Sequence, residues 1–254
     1  MNIPTLRVLN VTGFLLVLTL NALANALPIN GMTTGELSGL YPNRFVPAGF
    51  TFSIWGLIYL ALLGFVIYQF LRPAQPVLQA IGYWFFISCL ANGSWILAWH
   101  YQLPVVALGI MLLLLFSLLA IYRRLLPFRW AKHWPAILPF QLYLGWITVA
   151  TIANTTAVLV HLGWTGDPLP ETAWAAIMAG VAAGAGLFFG FKLKDIPYML
   201  VILWALYGIF QRQADGGLLQ TTLYIAMAAV LISTLAVVGL RLARPGQSGG
   251  QAQM

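Results

Sequence analysis

Apolar segments of about twenty residues recur along this chain and leave no stretch long enough for a soluble domain. An α-helix needs about 20 apolar residues to cross about 30 Å of hydrocarbon. The composition agrees, because 61% of the 254 residues are hydrophobic and only 7% are charged. The short alternating segments typical of a membrane β-barrel do not appear. We therefore predict an all-α, polytopic integral membrane bundle.

The apolar segments divide into about eight predicted transmembrane helices, most of them bounded by proline or glycine. The predicted spans are Thr5–Leu27, Pro47–Leu71, Val77–Tyr101, Pro104–Leu126, Pro135–His161, Glu171–Phe191, Ile196–Arg212 and Leu218–Ala243. Arg7, the apolar run after it and the triplet Ala22-Leu23-Ala24 also resemble a cleavable secretory signal, so removal of the first span is an alternative.

Basic residues are distributed unequally between the two sides of this eight-span arrangement. One side carries ten of the 12 Lys and Arg residues: Arg7, Arg72, Arg123, Arg124, Arg129, Lys132, Lys192, Lys194, Arg241 and Arg244. Because cytoplasmic loops are enriched in Lys and Arg, we predict that both termini are cytoplasmic, in a bacterial inner membrane. The net charge of +7 then indicates contact with the lipid bilayer and its anionic headgroups, and nucleic-acid binding has no support.

Catalytic signatures are missing from the sequence. It contains no HExxH, Walker or GxSxG motif, and its single cysteine, Cys89, has no partner for a disulfide. Every Asp and Glu falls in a loop or at the end of a span, which argues against ion-coupled transport through buried carboxylates. We predict no catalytic residues and no metal site.

Polar and aromatic residues inside four spans recur at helical spacing, so each set lies on one helix face. Helices one, two, three and five carry these stripes near the same end, whereas the fourth span has none and is expected to face lipid. The candidate ligand-binding residues are Asn21, Asn25, Pro47, Phe52, Trp55, Tyr59, Asn92, Trp95, Trp99, Trp146, Ala150 and Asn154. Such a pocket would suit a large, flat, mostly apolar ligand. The alternative is structural, because tryptophan forms interfacial belts and asparagine joins helices.

Three segments resemble the TspO/MBR family of tryptophan-rich sensory proteins, which are related to the mitochondrial translocator protein. "FVPAGFTFSIWGLIY" (45–59) is similar to the family's proline- and tryptophan-rich signature, with Pro47, Trp55 and Tyr59 at or within one residue of the expected places. "LANGSWILAW" (90–99) resembles its N-x-x-W element. "PFQLYLGWITVATIAN" (139–154) resembles its fifth-helix pattern. The three elements also occur in the family's order.

The resemblance covers residues 1–162 and implies a five-helix unit that binds porphyrin, haem or another flat apolar ligand beneath a loop. It also implies that glycines and prolines between the first two spans shape a cover: Gly31, Gly35, Gly39, Pro42 and Pro47. The family's loop tryptophans are absent here, so the resemblance supports ligand binding more than porphyrin chemistry.

Residues 163–244 are predicted to form a three-helix transmembrane extension, and residues 245–254 a disordered polar tail. Ala176, Gly180 and Gly184 lie on one ridge of the sixth span, which predicts close helix packing. We favour packing against the five-helix unit over a homodimer. His100 and His161, predicted near one end of the bundle, are candidate haem ligands, although interfacial histidines without metal are the more common case.

Three functions remain open from the sequence. The favoured one is a receptor or sensor that binds a tetrapyrrole or similar apolar ligand. The second is a transporter or exporter of such compounds, and the third is an accessory subunit of a larger, pigment-containing membrane complex.

Overall fold

A computed structural model describes residues 2–27, 29–128, 130–213 and 216–243. These residues form ten α-helices joined by turns and loops, with no strand in the described ranges. The helices are α1 (Ile3–Ala26), α2 (Thr34–Ser38), α3 (Ile54–Tyr68), α4 (Gln75–Ile81), α5 (Trp84–His100), α6 (Pro104–Leu125), α7 (Trp130–His161), α8 (Glu171–Leu193), α9 (Ile196–Phe210) and α10 (Leu218–Ala243). The predicted all-α class is confirmed.

Several helix boundaries follow from local sequence. Pro104 stands in the first turn of α6, where the missing N–H costs no helical hydrogen bond. Asp195 caps the N-terminus of α9 by accepting a hydrogen bond from the Tyr198 backbone N–H. Gly82, with a φ of +61°, ends α4, and the chain bends by 63° before α5.

In the part of the chain that the structure describes, six helical segments are long and apolar enough to cross a membrane: α1, α6, α7, α8, α10 and the segment Gly49–Tyr68 that contains α3. The bent pair of α4 and α5 makes a seventh span if the two are counted together. The seventh of the eight spans predicted from the sequence corresponds to α9, which is shorter than expected because it has only 15 residues. The structure therefore supports a polytopic helical membrane protein, with the third predicted span broken at Gly82.

The first five predicted spans close into a ring in which α1 packs on α5, α5 on α6, α6 on α7, α7 on α3 and α3 on α1. The fourth span, α6, faces outward on one side only. Its Ala107, Met111 and Leu114 are fully buried against neighbouring helices, while Val106 and Phe116 are exposed. The first loop, defined by the described residues 27 and 29–53, covers one end of this ring, which we call the first-loop end.

Helices α8, α9 and α10 pack on one another, and α9 also packs on α7 of the ring. The prediction that Gly180 and Gly184 form the packed ridge of α8 is wrong. A Cβ atom at either glycine would meet no atom within 4 Å, whereas one at Gly186 or Gly190 would press against α9. Of the three residues in the predicted ridge, only Ala176 is buried, and the glycines that contact α9 lie on a different face of α8. The division of the chain at residue 162 stays a prediction, and the predicted tail, 245–254, lies outside the described residues.

Candidate functional site

A cavity of about 310 Å³ lies between α1 and α3 at the first-loop end of the bundle. Four residues of α1 and four from the start of the α3 region form its walls at helical spacing, and two residues of α2 cover it. The lining residues are Leu18, Asn21, Ala22, Asn25, Thr34, Gly35, Phe52, Trp55, Gly56 and Tyr59. The sequence therefore brings one face of each helix, and part of the first loop, to a common space.

Aromatic rings build the α3 wall of the cavity. The rings of Trp55 and Tyr59 stack with centroids 5.3 Å apart and an interplanar angle of 16°. Behind them, Trp146 of α7 meets Trp55 edge-on at 6.1 Å and Phe52 at 5.9 Å. Such pairs favour the observed offset-stacked and edge-to-face geometries. The wall is therefore held in place from α7 and presents aromatic surface to the cavity.

Amide side chains supply the polar part of the α1 wall. The Asn21 side chain donates to the Asn92 amide oxygen (2.9 Å), and Asn92 in turn donates to the Tyr143 hydroxyl (2.7 Å). Asn25 donates to the Asn21 backbone carbonyl at 2.9 Å. This chain joins α1, α5 and α7 across the bundle. Hydrogen bonds between membrane helices of this kind contribute about 1 kcal/mol each.

Five of the twelve predicted site residues line the cavity: Asn21, Asn25, Phe52, Trp55 and Tyr59. The other seven lie outside its lining: Pro47, Asn92, Trp95, Trp99, Trp146, Ala150 and Asn154. Most of the seven are buried, and Ala150 is half-buried. Helical spacing places a residue on a face but gives no measure of whether that face meets open space or another side chain.

Trp95 and Trp99 of α5 are packed into the bundle interior. The Trp95 indole nitrogen donates to the Asn154 amide oxygen at 3.0 Å, and the Trp95 and Trp99 rings stack 5.8 Å apart. Trp99 also contacts Tyr41 of the first loop at 5.5 Å, and its indole nitrogen points to the Thr34 carbonyl oxygen. These residues hold the first loop down on the ring of helices.

The short helix α2 in the first loop is stabilised by a capping box. The Thr33 hydroxyl accepts from the Glu36 backbone N–H, while the Glu36 carboxylate accepts from the Thr33 backbone N–H at 2.7 Å. The backbone hydrogen bond, and then the side-chain hydrogen bond, lower the pKa of Glu36 from its usual value. Thr34 and Gly35 are thereby fixed over the cavity.

Neither candidate haem histidine lines the cavity. His100 is buried, its Nδ1 lies 2.8 Å from the Ile96 carbonyl oxygen, and its Nε2 has no hydrogen-bond partner. His161 is exposed, and its ring lies 6.2 Å from that of Tyr41. The lining formed by described residues thus offers no histidine to a haem iron, and a tetrapyrrole there would be held by rings and amides.

A sequence profile of the family described as TSPO-like protein matches residues 7–238. The chain belongs to the TSPO-like family. The matched range extends past residue 162 and includes most of the three C-terminal helices, so the resemblance is longer than the 162 residues inferred from motifs. No curated protein and no solved structure matches the chain.

Two features of this TSPO-like protein were missed by sequence reasoning. The first is the contact of α9 with the first loop, where the Ala48 N–H donates to the Gly208 carbonyl at 2.9 Å and Trp204 donates to the Thr51 carbonyl.

The second feature is Asp195, which is 1% exposed and accepts a 2.7 Å hydrogen bond from the Tyr122 hydroxyl. The expectation that the protein has no buried carboxylate is therefore wrong. The Asp-x-Pro cap at the start of α9 was the available signal for an ordered aspartate.

Proposed function

We propose that this TSPO-like membrane protein is a receptor that binds a flat, mostly apolar small molecule in the cavity between α1 and α3. The observation that carries the proposal is the cavity itself, with the Trp55–Tyr59 stack on one wall and the Asn21 and Asn25 amides on the other. Its volume of about 310 Å³ falls at the lower end of the range of small-molecule pockets, which is about 300–1,000 Å³.

The two walls have different physical roles in this proposal. Ring faces supply dispersion and stacking energy to a planar ligand without fixing its rotation in the plane. Amide groups donate and accept hydrogen bonds only in particular directions. Because Asn25 is exposed, its amide would be accessible to the ligand and would orient it. Porphyrin and haem are the first ligands to test, since the family resemblance implies them.

The test is a titration of detergent-purified protein with the dimethyl esters of protoporphyrin IX and of haemin, in which the propionate charges are removed, followed by quenching of tryptophan fluorescence. Saturable quenching in the wild type is expected, together with at least tenfold weaker binding in Trp55→Leu. The control is Trp134→Leu, which removes a half-exposed tryptophan far along the sequence from the lining. Single substitution at Trp55 is preferable to changing Trp95 or Trp146, because those two are packed in the core.

Binding that stays unchanged in Trp55→Leu, or no saturable binding of either ligand or of smaller planar molecules, would remove the proposal. A spectrum of the protein as purified is an independent check. A Soret band would identify a bound tetrapyrrole directly, and a carotenoid envelope would point to the accessory-subunit alternative.

We also propose that both termini face the cytoplasm of a bacterial inner membrane. The helix order puts Arg7, Arg72 and Lys192 at the end of the bundle opposite the first loop, while Arg44 lies in the first loop. The positive-inside rule supports this orientation. A fluorescent reporter fused after Ala243 should be active in the cytoplasm, and an alkaline phosphatase fusion at the same place should be inactive. The reverse pattern would invert the arrangement.

A further inference from the structure

We infer that the ligand of this cavity is an uncharged molecule dissolved in the bilayer, and that it enters sideways between α1 and α3 at Ala22 and Gly56. The inference rests on the proposed function, and it adds to that function a ligand class and a route. Its two supports are the chemistry of the lining and the position of the exposed lining residues.

The described lining contains no charged side chain. Its ten residues are apolar or aromatic, or carry amide or hydroxyl groups. The nearest acidic residue in the first loop, Glu36, is already hydrogen-bonded to Thr33. A carboxylate that enters such a site loses its hydration without gaining a Lys or Arg partner, and this transfer is strongly unfavourable. The lining therefore selects for the uncharged form of a ligand.

The first loop closes the cavity from above. Thr34 is buried, and its backbone carbonyl is approached by the Trp99 indole nitrogen. Asn30 of the same loop donates to the His100 carbonyl at 2.9 Å. The α2 capping box adds further hydrogen bonds within the loop. Entry from above would have to break several of these contacts, whereas entry from the side breaks none of them.

The side of the cavity is walled by small residues. Ala22 on α1 and Gly56 on α3 are both exposed, and a Cβ atom at Gly56 would meet no atom within 4 Å. Both residues lie within about two turns of the helix ends that join the first loop. Since α1 and the segment that contains α3 are both long and apolar enough to span a membrane, we infer that their exposed side faces lipid, where a molecule dissolved in the bilayer meets the opening directly.

The experiment uses one planar scaffold in a charged and an uncharged form. Anthraquinone-2-carboxylate and its methyl ester are titrated against the full chain in lipid nanodiscs at pH 7, with partitioning into empty nanodiscs subtracted. Tryptophan fluorescence reports binding. The methyl ester is expected to bind at least tenfold more tightly than the carboxylate.

The route is tested with matched glycine variants of α3. Gly56→Leu places a side chain in the opening, and it is expected to slow the association of the methyl ester, measured by stopped-flow tryptophan fluorescence, at least tenfold. Gly64→Leu is the control, because a Cβ atom at Gly64 also meets no atom within 4 Å and Gly64 lies outside the lining. Both variants should fold, since leucine is a better helix former than glycine.

The outcomes separate this inference from the proposed function. Equal or tighter binding of the carboxylate, or an unchanged association rate of the methyl ester in Gly56→Leu, overturns the inference and leaves the receptor in place. Binding of the free protoporphyrin dicarboxylate without binding of the anthraquinone methyl ester has the same meaning. If neither anthraquinone nor porphyrin quenches fluorescence saturably, the proposed function itself fails.

Discussion

The indole nitrogen of Trp204 lies 3.0 Å from the carbonyl oxygen of Thr51, and this hydrogen bond joins α9 to the first loop. A second bond, from the Gln213 side chain to the Arg44 carbonyl, reinforces the contact at 3.0 Å. Thr51 is followed in the chain by Phe52, which lines the cavity. The C-terminal helices therefore help to position one wall of the candidate site, which makes them part of its architecture.

Replacing Trp204 with phenylalanine should weaken ligand binding without unfolding the protein. The ring is largely kept, but the Thr51 carbonyl loses its donor, and Phe52 gains freedom. We expect about a threefold to tenfold loss of affinity, which corresponds to one hydrogen bond of about 1 kcal/mol. The control is Trp174→Phe, which removes the indole bond to the Thr156 hydroxyl and should leave affinity unchanged. Equal affinities for the two variants would contradict a role for α9.

Gly208→Ala should disturb the same contact by overpacking. A Cβ atom at Gly208 would overlap the Thr51 side chain, which is fully buried against α9. Relieving that overlap requires α9 and the turn Gly49–Ser53 to separate, at a cost of about 1–3 kcal/mol. The midpoint of thermal unfolding in detergent should fall by several degrees. Gly109→Ala, where the added atom meets open space, should leave the midpoint unchanged or slightly raised.

The hydrogen-bonded network of asparagines predicts that an effect on protein stability can be separated from an effect on ligand binding. Asn92→Ala removes one of the two acceptors of the Asn21 side-chain amide and the donor to the Tyr143 hydroxyl, and it should cost about 1–3 kcal/mol. Asn10→Ala removes a comparable buried amide that donates to Gln69 at 3.1 Å, at the other end of α1. Both variants should lower the unfolding midpoint, but only Asn92→Ala should also weaken ligand binding, because Asn21 lines the cavity.

The α2 capping box predicts a pH dependence of the first loop. Since the folded pKa of Glu36 is lowered from 4.5, its carboxylate stabilises α2 above about pH 4.5, and this contribution is lost as the pH falls through the folded pKa. Hydrogen exchange of residues 34–38 should therefore be faster at pH 3.5 than at pH 6, after correction for intrinsic rates. Glu36→Gln should keep the cap and lose the pH dependence, whereas Glu36→Ala should exchange faster at both pH values.

Sequence periodicity predicted the helical membrane class and the inward faces of α1 and α3, because lipid crossing and helix geometry impose both patterns directly. It did not distinguish Trp55, which borders open space, from Trp95, whose indole nitrogen is used by Asn154. That difference depends on which side chains meet across the bundle. The packing of α8 on α9 could likewise not be predicted from the sequence, since glycines occur on both faces of α8. Of these glycines, Gly186 and Gly190 contact α9.

The buried carboxyl of Asp195 predicts a pH dependence of stability that is opposite in sign to that of Glu36. Burial raises the pKa of this carboxyl above 3.8, although hydrogen bonds from Tyr122, Tyr198 and Gln141 and the charge of Arg241 act in the other direction. The folded state therefore binds its proton more tightly than the unfolded state, so this group's contribution to stability decreases as the pH rises from 3.8 through the folded pKa.

Asp195→Asn keeps an acceptor for the Tyr198 N–H and removes the charge. We expect it to raise the unfolding midpoint at pH 7 by a few degrees and to flatten its pH dependence, while Asp167→Asn, at an exposed position, changes neither. A lower midpoint for Asp195→Asn at pH 7 would show that the ionised carboxylate stabilises the junction of α8 and α9 by more than its burial costs.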